Sequence, residues 1–238
     1  MPDFSGGFRW LLFSAVCAGA IAGLAMGGLH LLVHVSLIEQ AEVYEAAAAT
    51  ASAPAVIPTG MAPVHVHAPE TRMRAMLTLI ADMLAGIGFA LLLCAGLALR
   101  GGMPTAGRGL GWGLGGFCAF AVAPALGLPP ELPGAGAADL IERQVWWLAT
   151  VGATAGGLAL VVFGHGLYRA VAGVVLIAAP HLFGAPRPPP HVSLVPDSLT
   201  RSFVAASLGT NLLFWALLGV ACAFAMRHLA PNMRGTDR

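Results

Sequence analysis

Long apolar runs alternate with short polar breaks along this chain. They are Trp10–Leu37, Ala75–Leu99, Gly109–Leu128, Val145–Leu167 and Ser202–Met226, with a shorter run at Ala170–Pro186. Crossing a hydrocarbon core of about 30 Å takes about 20 apolar residues in a helix, a length that all but the short run reach. The pattern predicts an all-α, polytopic integral membrane helix bundle, with residues 1–238 as one membrane domain and six transmembrane helices. The first run is too long for a signal-peptide core and is read as a mature helix.

The short run sets the span count. Ala170–Pro186 lies between Arg169 and Arg187 and carries Pro180 and His181 near its end. It either crosses or enters and returns, which would leave five spans. Arginines decide weakly between these, because cytoplasmic loops carry an excess of them. With six spans and the N-terminus inside, seven arginines fall inside (Arg9, Arg100, Arg108, Arg169, Arg227, Arg234, Arg238) and five outside (Arg72, Arg74, Arg143, Arg187, Arg201). With five spans the split is six to six. Six spans with a cytoplasmic N-terminus are preferred.

All twelve basic residues are arginine, so a phosphate-binding loop has no lysine to use. HExxH, GxSxG and Ser-x-x-Lys are also absent, and no enzyme template fits. Net charge is +1 and no basic run exists, which leaves nucleic-acid binding without support. Cys17, Cys94, Cys118 and Cys222 sit deep in apolar runs without CxxC spacing, where thiols act as small packing residues. Gly19, Gly23 and Gly27, like Gly109 and Gly113, recur at the four-residue interval that lets helix backbones approach closely.

Residues 39–72 form the longest hydrophilic stretch. Its start, from Glu39 through an alanine run, reads as a helix leaving the membrane. Pro54, Pro58, Pro63 and Pro69 predict an extended, mobile external remainder. Within it, His65 and His67 point to one side of an extended chain, and Glu42 and Glu45 lie beneath at helical spacing. This arrangement suits weak metal capture and equally suits a solvated linker.

Inside the spans, His30 and His34 are one turn apart on one helical face, the spacing at which two imidazoles grip a divalent ion. Asp82 is a carboxylate within a span, which is expensive unless it faces a cavity, a partner or an ion path. His30 lies seven residues before the outer end of the first run and Asp82 seven residues after the outer start of the second. At 1.5 Å per residue both fall roughly 10 Å below the outer surface, where they can meet. With six spans, His181 reaches the same layer. The alternative is that these groups only hydrogen-bond neighbouring helices. Asn211 is expected to bond across helices, and Trp146 and Trp147 to anchor an interfacial belt.

Four segments carry a resemblance: Gln40–Glu45 (QAEVYE), Gly127–Gly134 (GLPPELPG), Arg143–Trp147 (RQVWW) and Pro180–Pro186 (PHLFGAP). Together they make the chain resemble the CbtA-type cobalt transporter subunits. The resemblance implies a bacterial inner-membrane protein that supplies cobalt for cobalamin synthesis. It also implies a small single-span partner of the CbtB type with a histidine-rich tail, and five spans rather than six. Of the shared segments, Glu42, Glu45 and His181 are metal-capable. No permanently bound cofactor is implied; Co²⁺ is the implied cargo, although the same ligand types bind Ni²⁺ and Zn²⁺. The competing function is a non-transporting assembly or metal-sensing subunit whose polar residues are structural.

Overall fold

A computed structural model describes residues 4–52, 68–188 and 193–230, and the regular structure among them is entirely helical. Helix α1 (Phe4–Leu29) passes through a π-helical turn (His30–His34) into α2 (Val35–Ser52) without a break. Helix α3 covers Ala68–Leu99. Helix α4 (Ala106–Phe117) continues through a second π-helical turn (Cys118–Val122) into the single turn α5 (Ala123–Ala125), which holds Pro124 at its start. Helices α6 (Leu140–Phe163), α7 (Leu167–Phe183) and α8 (Asp197–His228) follow. Each of the six predicted runs is thus helical over most of its length, and four of the helical stretches are long and apolar enough to cross a membrane. Helix α7, at 17 residues, is the shorter apolar one. The helical caps of residues 39–52 and 68–72 extend the first two rods well beyond the apolar runs.

Successive rods reverse direction. Gly19 opposes Ile87, Gly23 opposes Asp82 and Met83, and Gly27 opposes Leu79, an antiparallel register between α1 and α3. Gly109 and Gly113 meet Gly219 and Trp215, which sets α4 against α8 in the same way. Gly157 faces Gly173, pairing α6 with α7. The indole of Trp10 donates to the Met226 carbonyl at 3.1 Å and His34 meets Ser207 at the other end, so α1 and α8 are also antiparallel. The arginines at positions 9, 100, 108, 169 and 227 therefore gather at the end where α1 begins, the near end. Those at 72, 74, 143, 187 and 201 gather at the far end.

Why these helices pack so closely follows from the small residues. A Cβ on Gly23 would lie 2.4 Å from the Asp82 carbonyl oxygen, and one on Gly109 would lie 2.3 Å from the Gly219 carbonyl oxygen. Only glycine permits those crossings. Gly96 and Gly116 likewise leave room for the rings of Trp112 and Trp215. The interior combines small residues, among them Ala15, Ala18, Ala22, Ala90, Cys94 and Cys222, with the larger Leu97, Phe214, Trp215, Leu218 and Met226, while Ile21, Leu24, Leu84, Leu92, Val162 and Phe224 point outward. Small residues at the helix crossings with large apolar residues on the outside suit a lipid solvent, because there packing rather than apolar burial drives helix association. The two thiols packed in the core act as the sequence predicts.

Candidate functional site

At the far end the π-helical turn carries both histidines. The extra residue in this turn, closed by the Val35 amide bonding to the His30 carbonyl, brings the two rings edge to face with centroids 4.8 Å apart. His30 Nδ1 lies 2.7 Å from Asp82 Oδ2, across the α1–α3 seam that Gly19, Gly23 and Gly27 bring together. An ionised carboxylate only accepts, so His30 donates from Nδ1, and in the neutral ring Nε2 then carries the lone pair. Among the described residues that Nε2 has no hydrogen-bond partner. The pair is only partly withdrawn from solvent, with 29% of the histidine and 18% of the aspartate side chain exposed.

His34 lies deeper. It is 7% exposed, with Nε2 at 3.3 Å from Ser207 Oγ on α8 and its ring edge-on to Phe203 at 5.6 Å. Its Nδ1 is buried with no hydrogen bond. A small apolar cap of Ala41, Leu132, Val195 and Phe203, packed with Leu37, Ile38 and Leu199, seals this level from the far-end surface. The GLPPELPG loop thus contributes Leu132 to the same apolar cluster as Phe203, the ring that meets His34. The Gly134 carbonyl, in turn, receives the Leu194 amide, tying the loop to the segment before α8.

The other predicted ligands are placed elsewhere. His181 stands on α7 at the same end, yet its ring meets Trp146 edge-on at 5.8 Å and its buried Nε2 has no partner; it is not joined to the His30 cluster. Glu42 is held by Arg74 at 3.1 Å in an exposed pair, and Glu45 is exposed near Gly134. His65 and His67 lie outside the described residues. Among the described residues no three histidine, cysteine, aspartate or glutamate side chains are arranged to hold a metal ion together.

One sequence expectation needs correction. Asn211 bonds within its own helix, from Nδ2 to the Ser207 carbonyl at 3.0 Å, and not across helices. Trp146, expected in an interfacial belt, also donates from its indole to the Pro180 carbonyl at 3.3 Å and ties α6 to α7. Pro180 leaves α7 otherwise regular, and the carbonyl it presents takes the Trp146 donor.

Sequence reasoning missed a cavity of about 520 Å³ between the second π-helical turn, α6 and α8. Phe120 and Pro124, the Leu128–Glu131 segment, Arg143, Gln144, Trp147, Ser207 and Asn211 line it. A neighbouring hollow places Glu131 against Ala185, Pro186 and Arg187. Three of the four segments that carried the resemblance, GLPPELPG, RQVWW and PHLFGAP, therefore converge in space. Ser207 and Asn211, small polar groups four residues apart in an apolar span, were the available signal.

These features define a helical membrane bundle with an ionisable pair set between helices near one face. A family model described as a probable cobalt transporter subunit (CbtA) matches residues 8–227, nearly the whole chain. The chain belongs to the CbtA family. That description names a subunit, which implies a partner. No curated protein and no solved structure matches the chain.

Proposed function

We propose that this chain is the integral subunit of a divalent-cation uptake transporter in a bacterial inner membrane, with its N-terminus in the cytoplasm and all six helical rods crossing. Cobalt is the proposed cargo and cobalamin synthesis the proposed use. A small single-span subunit of the CbtB type, with a histidine-rich tail, is the proposed partner. The single observation that carries the reading is the 2.7 Å bond between His30 and Asp82, a carboxylate and an imidazole held together inside an apolar bundle. Ionisable groups at such positions mark ion pathways, because burying them is otherwise costly.

The chemistry follows from the geometry. Asp82 fixes the His30 tautomer and leaves Nε2 free to ligate, the arrangement by which carboxylates orient metal-binding histidines. His34 adds a second nitrogen, the unpartnered Nδ1, when its Nε2 donates to Ser207. A partly dehydrated ion passes between two imidazoles a few ångströms apart, with the Asp82 charge offsetting its own. Two nitrogens without a third closed ligand suit transit, since a conducting site must release what it binds. The proposal assigns no catalysis to the chain.

The rival is a non-transporting assembly or sensor subunit, and one observation favours it. Asp82 is already satisfied by His30, and no three-ligand set exists among the described residues. Accumulation of ⁵⁷Co²⁺ in cells carrying the chain with its partner, the partner alone or neither separates the two, because only a transport subunit raises uptake above the partner alone. Excess Ni²⁺ and Zn²⁺ in the same assay define the cargo.

A further inference from the structure

We infer that the cavity lined by Glu131, Gln144, Ser207 and Asn211 is a vestibule that takes a hydrated divalent cation, and that the Ser207–His34 hydrogen bond is the gate between it and the His30–Asp82 pair. The inference rests on the transport reading and deepens it.

Size is the first argument. Six waters at about 30 Å³ each give a hydrated ion roughly 180 Å³ of coordinated water. The cavity, at about 520 Å³, holds that ion with room for further water. The second argument is the donor set. Among the residues that line the cavity there is no imidazole and no thiol; the polar side chains are one carboxylate, two amides, one hydroxyl, the Arg143 guanidinium and the Trp147 indole. Neutral amide and hydroxyl groups of this kind bond readily to the waters of a hydrated ion, whereas imidazole nitrogen is the ligand type that suits direct coordination of the later divalent transition metals.

Glu131 carries the charge. Its Oε2 lies 3.1 Å from Arg143, and both side chains are partly exposed to the cavity. An arriving cation competes with the guanidinium for the carboxylate, so the vestibule binds weakly and releases readily, as a transit site requires.

Continuity is the third argument. Ser207 belongs to both places: it lines the cavity, and its Oγ meets His34 Nε2 at 3.3 Å. His34 itself is 7% exposed and meets the Phe203 ring edge-on. Ser207 is thus common to both places, and an ion that passes it exchanges water and oxygen contacts for imidazole nitrogen. The two π-helical turns flank this passage, one supplying His30 and His34 and the other supplying Phe120 and Ala121 to the cavity wall. Such turns mark functional positions in helices often enough to support the assignment.

The test is Co²⁺ quenching of tryptophan fluorescence in the purified full-length chain in nanodiscs, since Trp147 lines the cavity. The expected result is a saturable quench that Trp147→Phe removes. A unit charge acting on a divalent ion about 5 Å away in a watery cavity is worth about a tenfold change in affinity. Glu131→Gln should therefore weaken the apparent affinity about tenfold. Arg143→Gln should tighten it, because the carboxylate loses its competitor. A merely structural ion pair predicts the same direction for both substitutions, so opposite signs support a ligand role even if each variant is somewhat less stable. Asp82→Asn should keep the quench while losing uptake. Absence of a saturable quench, or a quench indifferent to both Glu131→Gln and Arg143→Gln, overturns the vestibule. A normal quench in a chain that transports nothing would instead overturn the transport reading alone.

Discussion

Substituting Gly23 with alanine adds one methyl group at a tight point of the α1–α3 seam. The new carbon would sit 2.4 Å from the Asp82 carbonyl oxygen and 2.6 Å from Met83 Cα. Comfortable contact between carbon atoms begins near about 3.5 Å, so the two helices must part by roughly 1 Å. Overpacking of this kind costs about 1–3 kcal/mol. The same displacement acts on the His30–Asp82 bond two turns along, stretching 2.7 Å toward about 3.7 Å, beyond hydrogen-bond reach. Losing a charge-assisted bond adds about 1.5 kcal/mol at the low end of its range, appropriate to a partly exposed pair. The sum is roughly 3 kcal/mol, which for a chain of this size lowers the unfolding midpoint by about 6–12 °C. Gly28→Ala is the control: nothing lies within 4 Å of its added carbon. Alanine favours a helix over glycine there by up to about 1 kcal/mol. Midpoints of the two variants in detergent, followed by size-exclusion fluorescence of a tagged protein, check the reasoning. Equal stability of Gly23→Ala and Gly28→Ala would refute it, because the two differ only in what the methyl group meets.

Three other outcomes are expected. Val43→Cys should react with an impermeant maleimide in intact cells and Tyr168→Cys only after permeabilisation, since both are exposed at opposite ends of the bundle; the reverse pattern inverts the orientation. Phe203→Ala should cost about 3 kcal/mol as a truncated buried aromatic and should open His34 to diethyl pyrocarbonate, read by mass spectrometry; an unmodified His34 would mean that Phe203 does not cover it. Gly219→Val should prevent stable insertion, because a Cβ there already approaches the Gly109 carbonyl oxygen to 2.2 Å, and normal levels of folded protein would show that α4 and α8 can separate.

Much of this architecture was legible in the sequence because lipid imposes strong rules. Apolar length located the rods, and the four-residue glycine spacing marked the faces of α1 and α4 that pack closely, though not the helices they meet. The juxtaposition of His30 with Asp82 followed from depth alone, since each lies the same number of residues from one surface. What stayed hidden depends on rotation and lateral placement, which depth does not encode. His181 reaches the expected end but faces Trp146, because α6 and α7 form their own hairpin through Gly157 and Gly173. The π-helical turns left no trace in the hydropathy pattern, as an extra residue in a helix changes hydrogen bonding without changing composition. Ser207 drew no attention because a lone hydroxyl in an apolar span is ordinary until its partner, His34, is known.

The central claim is that the ion passes the His30–Asp82 pair. The most direct test is the initial rate of ⁵⁷Co²⁺ uptake in cells that carry the chain and its partner, with wild type compared against Asp82→Asn at matched membrane abundance. This substitution preserves side-chain size and a hydrogen-bonding oxygen while removing the charge. At least about a tenfold fall in rate is predicted, the loss expected when a cation no longer meets a nearby negative charge. A wild-type rate in Asp82→Asn would contradict the claim and leave the pair as a structural tie between α1 and α3.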